Sequence, residues 1–268
     1  METCPVCGVA FEAPADKGLL TRCPACKCDY LSSGAGAAPL RRPGSLSDRP
    51  GDRVTLPATF TERFRLGKLL GSGESSIVFL ADDLSSDRRV AVKFLARASG
   101  PDQMARFLDE RRRVGQVEHP NVAATIDVLE LDGCPCLVTE YVEGGSLRQR
   151  LSVRKRLGAR EAVRVATEVL AGLAACHAVG LVHGALRPEN VLFVTHGTVK
   201  ISDFGIAWNP DAANEESAGE STIGAAWPYV APECYTEGEA APGSDVYSAG
   251  VILCEMLTGS RPYDATTP

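Results

Sequence analysis

The sequence predicts an α+β chain of two lobes preceded by a short cysteine-rich head. Three observations carry that expectation. Strand-like runs cluster between residues 64 and 140, helical periodicity takes over afterwards, and five of the ten cysteines fall within the first 28 residues. Strands first and helices after is the order of an α+β domain rather than of alternating βα units.

At 268 residues there is room for one sizeable domain and a small module. A net charge of −6 argues against a nucleic-acid surface, which needs clustered basic charge. No apolar run approaches the ~20 residues needed to span a bilayer. Met1-Glu2-Thr3-Cys4 has neither the basic nor the apolar region of a signal peptide. A cytoplasmic location is the default expectation, with any membrane anchor or sensor part lying beyond Pro268 in a longer product.

In the head, Cys4-Pro5-Val6-Cys7 and Cys23-Pro24-Ala25-Cys26 give C-x2-C-x15-C-x2-C. Paired thiolates at this spacing suit tetrahedral Zn²⁺, and the segment (residues 1–30) resembles a zinc ribbon. Metal binding can supply about 10–16 kcal/mol, which so short a segment needs in order to fold. Rubredoxin-like iron or a redox pair are the alternatives, and Cys28 is a substitute ligand or a free thiol. With three basic and four acidic residues, the head points to protein contact rather than nucleic acid. Residues 31–60, rich in Gly, Ala, Pro and Ser, read as a flexible linker.

From residue 64 the elements follow in order. Runs at 64–70, 77–81 and 89–95 read as strands, 101–117 as a helix, and 123–130 and 134–140 as strands. Residues 162–177 form a helix whose apolar positions 163, 166, 170, 173 and 174 make the core-facing stripe. Short strands at 191–194 and 199–201 and a helix at 244–258 complete the pattern.

Several short motifs lie along these elements. Leu70-Gly71-Ser72-Gly73 opens a glycine-rich turn of the kind that approaches phosphates closely, and Val90-Ala91-Val92-Lys93 follows on a strand. His183-Gly184-Ala185-Leu186-Arg187-Pro188-Glu189-Asn190, Asp203-Phe204-Gly205, Tyr229-Val230-Ala231-Pro232-Glu233 and Asp245-Val246-Tyr247-Ser248-Ala249-Gly250 come after it. In this order they resemble the signature set of bacterial-type serine/threonine protein kinases over about residues 61–268. The resemblance implies a two-lobed kinase fold, with an N-lobe of about 61–140 and a partial C-lobe of 143–268. It also implies ATP and Mg²⁺ as ligands.

The same resemblance assigns roles. Lys93 contacts the α/β-phosphates and pairs with Glu110. The Glu140 carbonyl and Val142 amide meet the adenine edge, with Thr139 as a small gatekeeper. Val78, Ala91 and Leu192 wall the base, and Asn190 and Asp203 hold the metal. Read without the family, Lys93 is a strand lysine snorkelling to solvent, Glu110 an exposed helix carboxylate, and the apolar wall ordinary core.

The departures from the pattern point one way. Ala185 stands where the family has the Asp that accepts the substrate proton, and a methyl group takes no proton. Gly184 replaces the Arg that reads a phosphorylated activation segment, Arg187 replaces the phosphate-touching Lys, and Ala226 stands at a usual Thr. Ordinary general-base catalysis contributes 10²–10⁴-fold, about 3–5.5 kcal/mol, while phosphoryl transfer rests mostly on positioning and metal electrostatics. The chain therefore reads as a pseudokinase that binds Mg·ATP, transfers phosphate poorly or not at all, and has a regulatory role. The alternatives are a working serine/threonine kinase with an unusual base, and a zinc-ribbon interaction module on a domain that binds nothing. Residues 211–222, with Asp211, Glu215, Glu216 and Glu220 beside Ser217, Ser221 and Thr222, make the activation segment acidic. Glu233 is expected to lack the Arg that a complete C-lobe supplies.

Overall fold

The computed structural model describes residues 56–72, 76–95, 113–131, 134–195, 197–204, 227–236 and 240–263, residues 105 and 108, and six short strands among the first 54 residues. Cys4, Cys7, Cys23, Cys26 and Cys28 lie outside the described residues, as do Gly73, Glu110, Gly205, Ala226 and most of the expected helix at 101–117. The six short strands pair as antiparallel hairpins: β1 (Glu2–Thr3) with β2 (Ala10–Phe11), β3 (Leu20–Arg22) with β4 (Asp29–Leu31), and β5 (Leu40–Arg41) with β6 (Arg53–Val54). In sequence, Cys4 and Cys7 fall between β1 and β2, and Cys23 and Cys26 between β3 and β4.

Two compact units follow, residues 1–109 with 125–141 and residues 110–124 with 142–268. The first is built on helix α1 (Ala58–Arg63) and strands β7 (Phe64–Ser72), β8 (Ser76–Asp83), β9 (Arg88–Leu95), β10 (Thr125–Leu131) and β11 (Cys134–Glu140). The strands form one antiparallel sheet in the order β10-β11-β9-β8-β7. Side chains alternate between faces with a period of two, and this sheet uses the alternation fully. Phe79, Ala81, Val90, Val92, Phe94, Cys136 and Val138 point to one face and are all buried. Phe60 of α1 and Phe64 close over them, with the Phe60 and Phe64 ring centroids 5.1 Å apart and Phe79 edge-on to Phe94 at 6.0 Å. Such aromatic pairs add to the area they bury. Leu56 is buried in the same cluster, so this core begins upstream of the first long strand.

Arg63, in the last turn of α1, ties the helix to the sheet. Its guanidinium pairs with Asp127 and, at 3.4 Å, with the buried Asp83. Asp83 also accepts the Ser85 hydroxyl at 2.6 Å and the Ser85 N–H at 3.0 Å. Burial alone raises a carboxyl pKa; here the Ser85 bonds and Arg63 outweigh it and bring Asp83 down to about 2.

The second unit packs helix α2 (Leu147–Arg154), helix α3 (Ala159–His177), the hairpin β12 (Val191–Phe193) with β13 (Val199–Ile201), helix α4 (Pro232–Thr236) and helix α5 (Pro242–Thr258). Helix α2 was not anticipated by periodicity. Its start is set by a capping box: the Gln149 N–H donates to Ser146 Oγ while the Ser146 N–H donates to Gln149 Oε1 at 2.9 Å. Gly144 precedes it because a Cβ there would lie 2.3 Å from the Phe193 carbonyl oxygen, to which its own N–H bonds at 2.7 Å.

The expected stripe on α3 needs correction. Ala166 and Leu173 are buried, but Val163, Leu170 and Ala174 are exposed. The core face is Ala162, Val165, Ala166, Val169, Gly172, Leu173 and Cys176. This helix carries apolar residues on two faces, and the one with the small residues wins the close packing. A Cβ on Gly172 would meet the Asn121 carbonyl at 2.6 Å and Ile201 at 3.0 Å, so only glycine lets α3 approach β13 here. The centre is completed by Leu147, Leu186, Phe193, Ile201, Tyr229, Ile252 and Met256, all essentially inaccessible.

Candidate functional site

In the sheet, residues directly opposite share a face, so register places the expected nucleotide residues. Val78 pairs with Lys93 and Lys93 with Leu137, while Leu80 pairs with Ala91 and Ala91 with Thr139. Val78, Leu80, Ala91, Lys93, Leu137 and Thr139 therefore share the face opposite the aromatic core. Lys93 is half-buried in mid-strand and carries a polar contact of its own. Gly71 pairs with Val78 at the end of the β7–β8 hairpin, where it is exposed with open space around its Cα; Leu70 beside it is exposed too. Ser72 continues β7, and Glu140 ends β11. One face of this sheet thus presents a cation among apolar side chains, with Gly71 in the same row at the end of β7.

In the second unit the stretch 183–190 is organised by one buried carboxylate. Asp245, 1% exposed in the first turn of α5, accepts the His183 N–H at 2.8 Å on Oδ2 and the Gly184 N–H at 2.9 Å on Oδ1. Its Oδ2 also meets His177 Nε2 at 2.7 Å. Pro242 at the start of α5 and Gly259 at φ +82 after its end set the helix limits that position this Asp. Gly184 lies at φ +69, a left-handed conformation that glycine takes freely.

His183 is wholly buried between these groups. Its Nδ1 accepts the Ala185 N–H at 3.3 Å and its Nε2 faces the Ser202 carbonyl at 2.9 Å, so the ring is neutral and protonated on Nε2. Burial lowers its pKa, against the opposing pull of Asp245, Asp203 and the Ser202 carbonyl. Its ring packs at a tilt against Phe204, centroids 4.6 Å apart, linking the loop to the Asp203-Phe204 turn.

Ala185 is 6% exposed, and its carbonyl accepts Asn190 Nδ2 at 2.9 Å. One N–H of the Asn190 side-chain amide is used in this way. The Ser202 N–H donates to the Asn190 carbonyl at 2.9 Å, joining the two segments that carry Asn190 and Asp203. Asp203 sits at φ +64, an uncommon backbone conformation for any residue but glycine. An amide oxygen and a carboxylate are hard donors of the kind Mg²⁺ takes from protein, the rest of its shell being water and phosphate. Among the described residues no group of three or more His, Cys, Asp or Glu could hold a metal.

Both oxygens of Glu189 are occupied. Arg187 Nε donates to Oε2 at 2.9 Å and Arg148 Nε to Oε1 at 2.9 Å. Burial raises the Glu189 pKa, but Arg187 and Arg148 outweigh it and hold it low. Arg148 also donates to Glu255 Oε1 at 2.7 Å and to the Tyr229 hydroxyl, which in turn donates to Glu255 Oε2 at 2.6 Å. Burial disfavours the Arg148 charge, and its carboxylate partners more than restore it. This network was not read from the sequence, because its members are 26 to 107 residues apart where Tyr229 and Arg148 meet Glu255. Glu233 accepts the Ser244 hydroxyl at 2.9 Å, so the carboxylate expected to lack its usual arginine is met by a serine.

Among the described residues no helix is long and apolar enough to cross a membrane. A family model described as the protein kinase domain matches residues 64–268. The chain is 35% identical over 215 residues to a probable serine/threonine-protein kinase PknB of Lactococcus lactis, covering 79% of this chain and 34% of that protein. It is 38% identical over 208 residues to the serine/threonine-protein kinase PknL of Mycobacterium tuberculosis, covering 77% of this chain and 52% of the relative. It is 32% identical over 204 residues to the serine/threonine-protein kinase PrkC of Bacillus subtilis, covering 75% and 31%. The chain thus spans between about a third and a half of the length of these relatives.

Proposed function

This chain belongs to the protein kinase family, and from that premise we propose that it is a pseudokinase: it binds Mg·ATP and transfers phosphate poorly or not at all. The observation that carries the reading is Ala185. It sits at the base position in a loop whose backbone anchors on Asp245, His183 and Asn190 are all present. The loop keeps its shape without its proton acceptor.

ATP binding rests on Lys93 for the α/β-phosphates, paired with Glu110, on the Gly71–Gly73 turn, and on Glu140, Val142 and Leu192 for the base. Asn190 and Asp203 hold the Mg²⁺, which would neutralise charge on the phosphates when bound. Arg187 keeps a cation where the family has lysine, but its Nε is committed to Glu189. An active kinase with a different base is the competing reading. The nearest carboxylate in the loop, Glu189, has both oxygens in ion pairs, and that counts against it.

The head is read as a structural zinc ribbon with Cys4, Cys7, Cys23 and Cys26 as ligands. The cysteine spacing supports this, as does the fact that each C-x2-C pair falls between two strands of a described hairpin. A cytoplasmic, regulatory role is the setting proposed for the whole.

Thermal unfolding with and without Mg·ATP, run beside a radiolabelled phosphoryl-transfer assay, tests the central proposal. The expected result is a rise in unfolding temperature that Lys93→Met abolishes, without transfer. No rise in the wild-type chain would sink the nucleotide reading.

A further inference from the structure

Strand β7 is the least regularly paired member of the five-stranded sheet. It stands at one edge, with β8 as its hydrogen-bonded neighbour there. Its register against β8 shifts twice, between Leu66 and Leu69 and between Leu69 and Gly71, where β10 at the other edge shifts once. Phe64–Ser72 thus runs beside Ile77–Asp83, a segment two residues shorter. Extra residues of this kind leave ladder groups unpaired and bend the strand that carries them. Arg65, Lys68 and Leu70 of this strand are exposed. Yet β7 is the strand that delivers Gly71 and Ser72 to the glycine-bearing turn.

The head supplies β7 with a second neighbour. Strand β4 approaches β7 to within 8 Å between Cα atoms, and both belong to the same compact unit. Its hydrogen-bonded partner is β3, with Tyr30 opposite Thr21, and it is no member of the five-stranded sheet. The head therefore meets β7 as a hairpin already paired within itself. Natural proteins steady exposed sheet edges by laying a further element over them.

The connection between the two is short in space. β5 pairs with β6, Leu40 opposite Val54, so the chain leaves that hairpin beside the point where it entered. Leu56, two residues further on, is already buried in the sheet core. What remains of the tether is the stretch from Leu31 to Leu40, at most about 30 Å when extended. A tether of this length holds one binding element near the other at an effective concentration on the order of millimolar. Charge agrees with the contact: Asp29 opens β4, and β7 carries Arg65 and Lys68.

We propose that the β3–β4 hairpin is a built-in brace for β7. Packed on this twice-shifted edge strand, it holds the strand in register and with it the turn that begins at Gly71. The folded state of the head thereby sets the order of the glycine-bearing turn. The inference needs neither a bound metal nor a bound nucleotide.

Hydrogen exchange on the full chain, without nucleotide, tests it by comparing wild type with Tyr30→Pro. Proline removes a backbone donor from β4 and opens the β3–β4 ladder. Amides of β3 and β4 should then exchange faster, and those of 64–72 should follow by about tenfold, while β9 and β11 stay as they were. Unchanged exchange over 64–72 in a variant whose β3–β4 amides have opened would overturn the proposal. A rise spread equally over all five strands of the sheet would do the same. Carbodiimide coupling of the wild-type chain decides the matter even where Tyr30→Pro leaves the hairpin closed. A Lys68 bond to Asp29 is expected within the monomer, in a yield independent of protein concentration. Absence of that bond, or its formation only between molecules, would contradict the brace.

Discussion

The sheet that carries Lys93 and the loop that carries Ala185 are held by different forces. Behind Lys93 lies a face of buried aromatic and β-branched side chains with Phe79, Val92 and Val138 fully inaccessible. Around Ala185 the backbone hangs on a few polar bonds that converge on Asp245 and His183. The first arrangement resists changes of pH and tolerates loss of any one polar group. The second depends on one carboxylate and one neutral imidazole, yet does not depend on the side chain at residue 185. The bonds that hold this loop do not call on a carboxylate at residue 185, which is what the proposed separation of binding from transfer requires.

The comparison breaks most directly at Asp245. Asp245→Ala strips the His183 and Gly184 N–H groups and His177 of their acceptor, and should cost about 3–5 kcal/mol of stability in urea unfolding. Phe79→Ala leaves a cavity under the sheet and should cost about 3–4 kcal/mol. Unlike Asp245→Ala, which removes a charge that acts on the His183 pKa, it should leave the pH dependence of unfolding unchanged. Equal pH profiles for the two variants would erase the distinction drawn here.

His183 sharpens it. The folded pKa of this ring is depressed, so the unfolded chain binds a proton that the folded chain refuses. The associated stability is intact above about pH 6.5 and is lost as pH falls from there toward the lowered folded value. Urea midpoints measured between pH 7.5 and 5.5 should decline, and His183→Phe should flatten that part of the slope. A smaller effect belongs to Asp83. Its pKa of about 2 means that its contribution is present above the ordinary carboxylate value and vanishes as pH falls toward 2. Asp83→Asn should cost about 1–3 kcal/mol at neutral pH and little in strong acid, read from the same midpoints.

Strands were the most legible elements. Residues 134–140 and 199–201 were bounded as observed because both are short runs rich in β-branched or apolar residues between turn signals. Helix α3 was found, but its stripe was rotated, since Val163 and Leu170 are as apolar as the residues that face the core. Nothing in the periodicity singles out Gly172, and the close approach of Asn121 and Ile201 decides the face. Helix α2 escaped because its surface is dominated by three arginines, with Leu147 and Leu151 its buried residues. Motif spacing nominated Lys93, Asn190 and Asp203, which the structure places on β9, at the end of the 183–190 stretch and after β13. The ring of Arg148, Glu189, Tyr229 and Glu255 exists only through contacts distant in sequence.

Restoring a carboxylate at residue 185 tests the account most directly. Phosphoryl transfer from radiolabelled ATP to a generic protein substrate should be at background in the wild-type chain, and Ala185→Asp should raise it by about 10²–10⁴-fold. Wild-type turnover at an ordinary kinase rate, about 1–100 s⁻¹ and unchanged by Ala185→Asp, would contradict it.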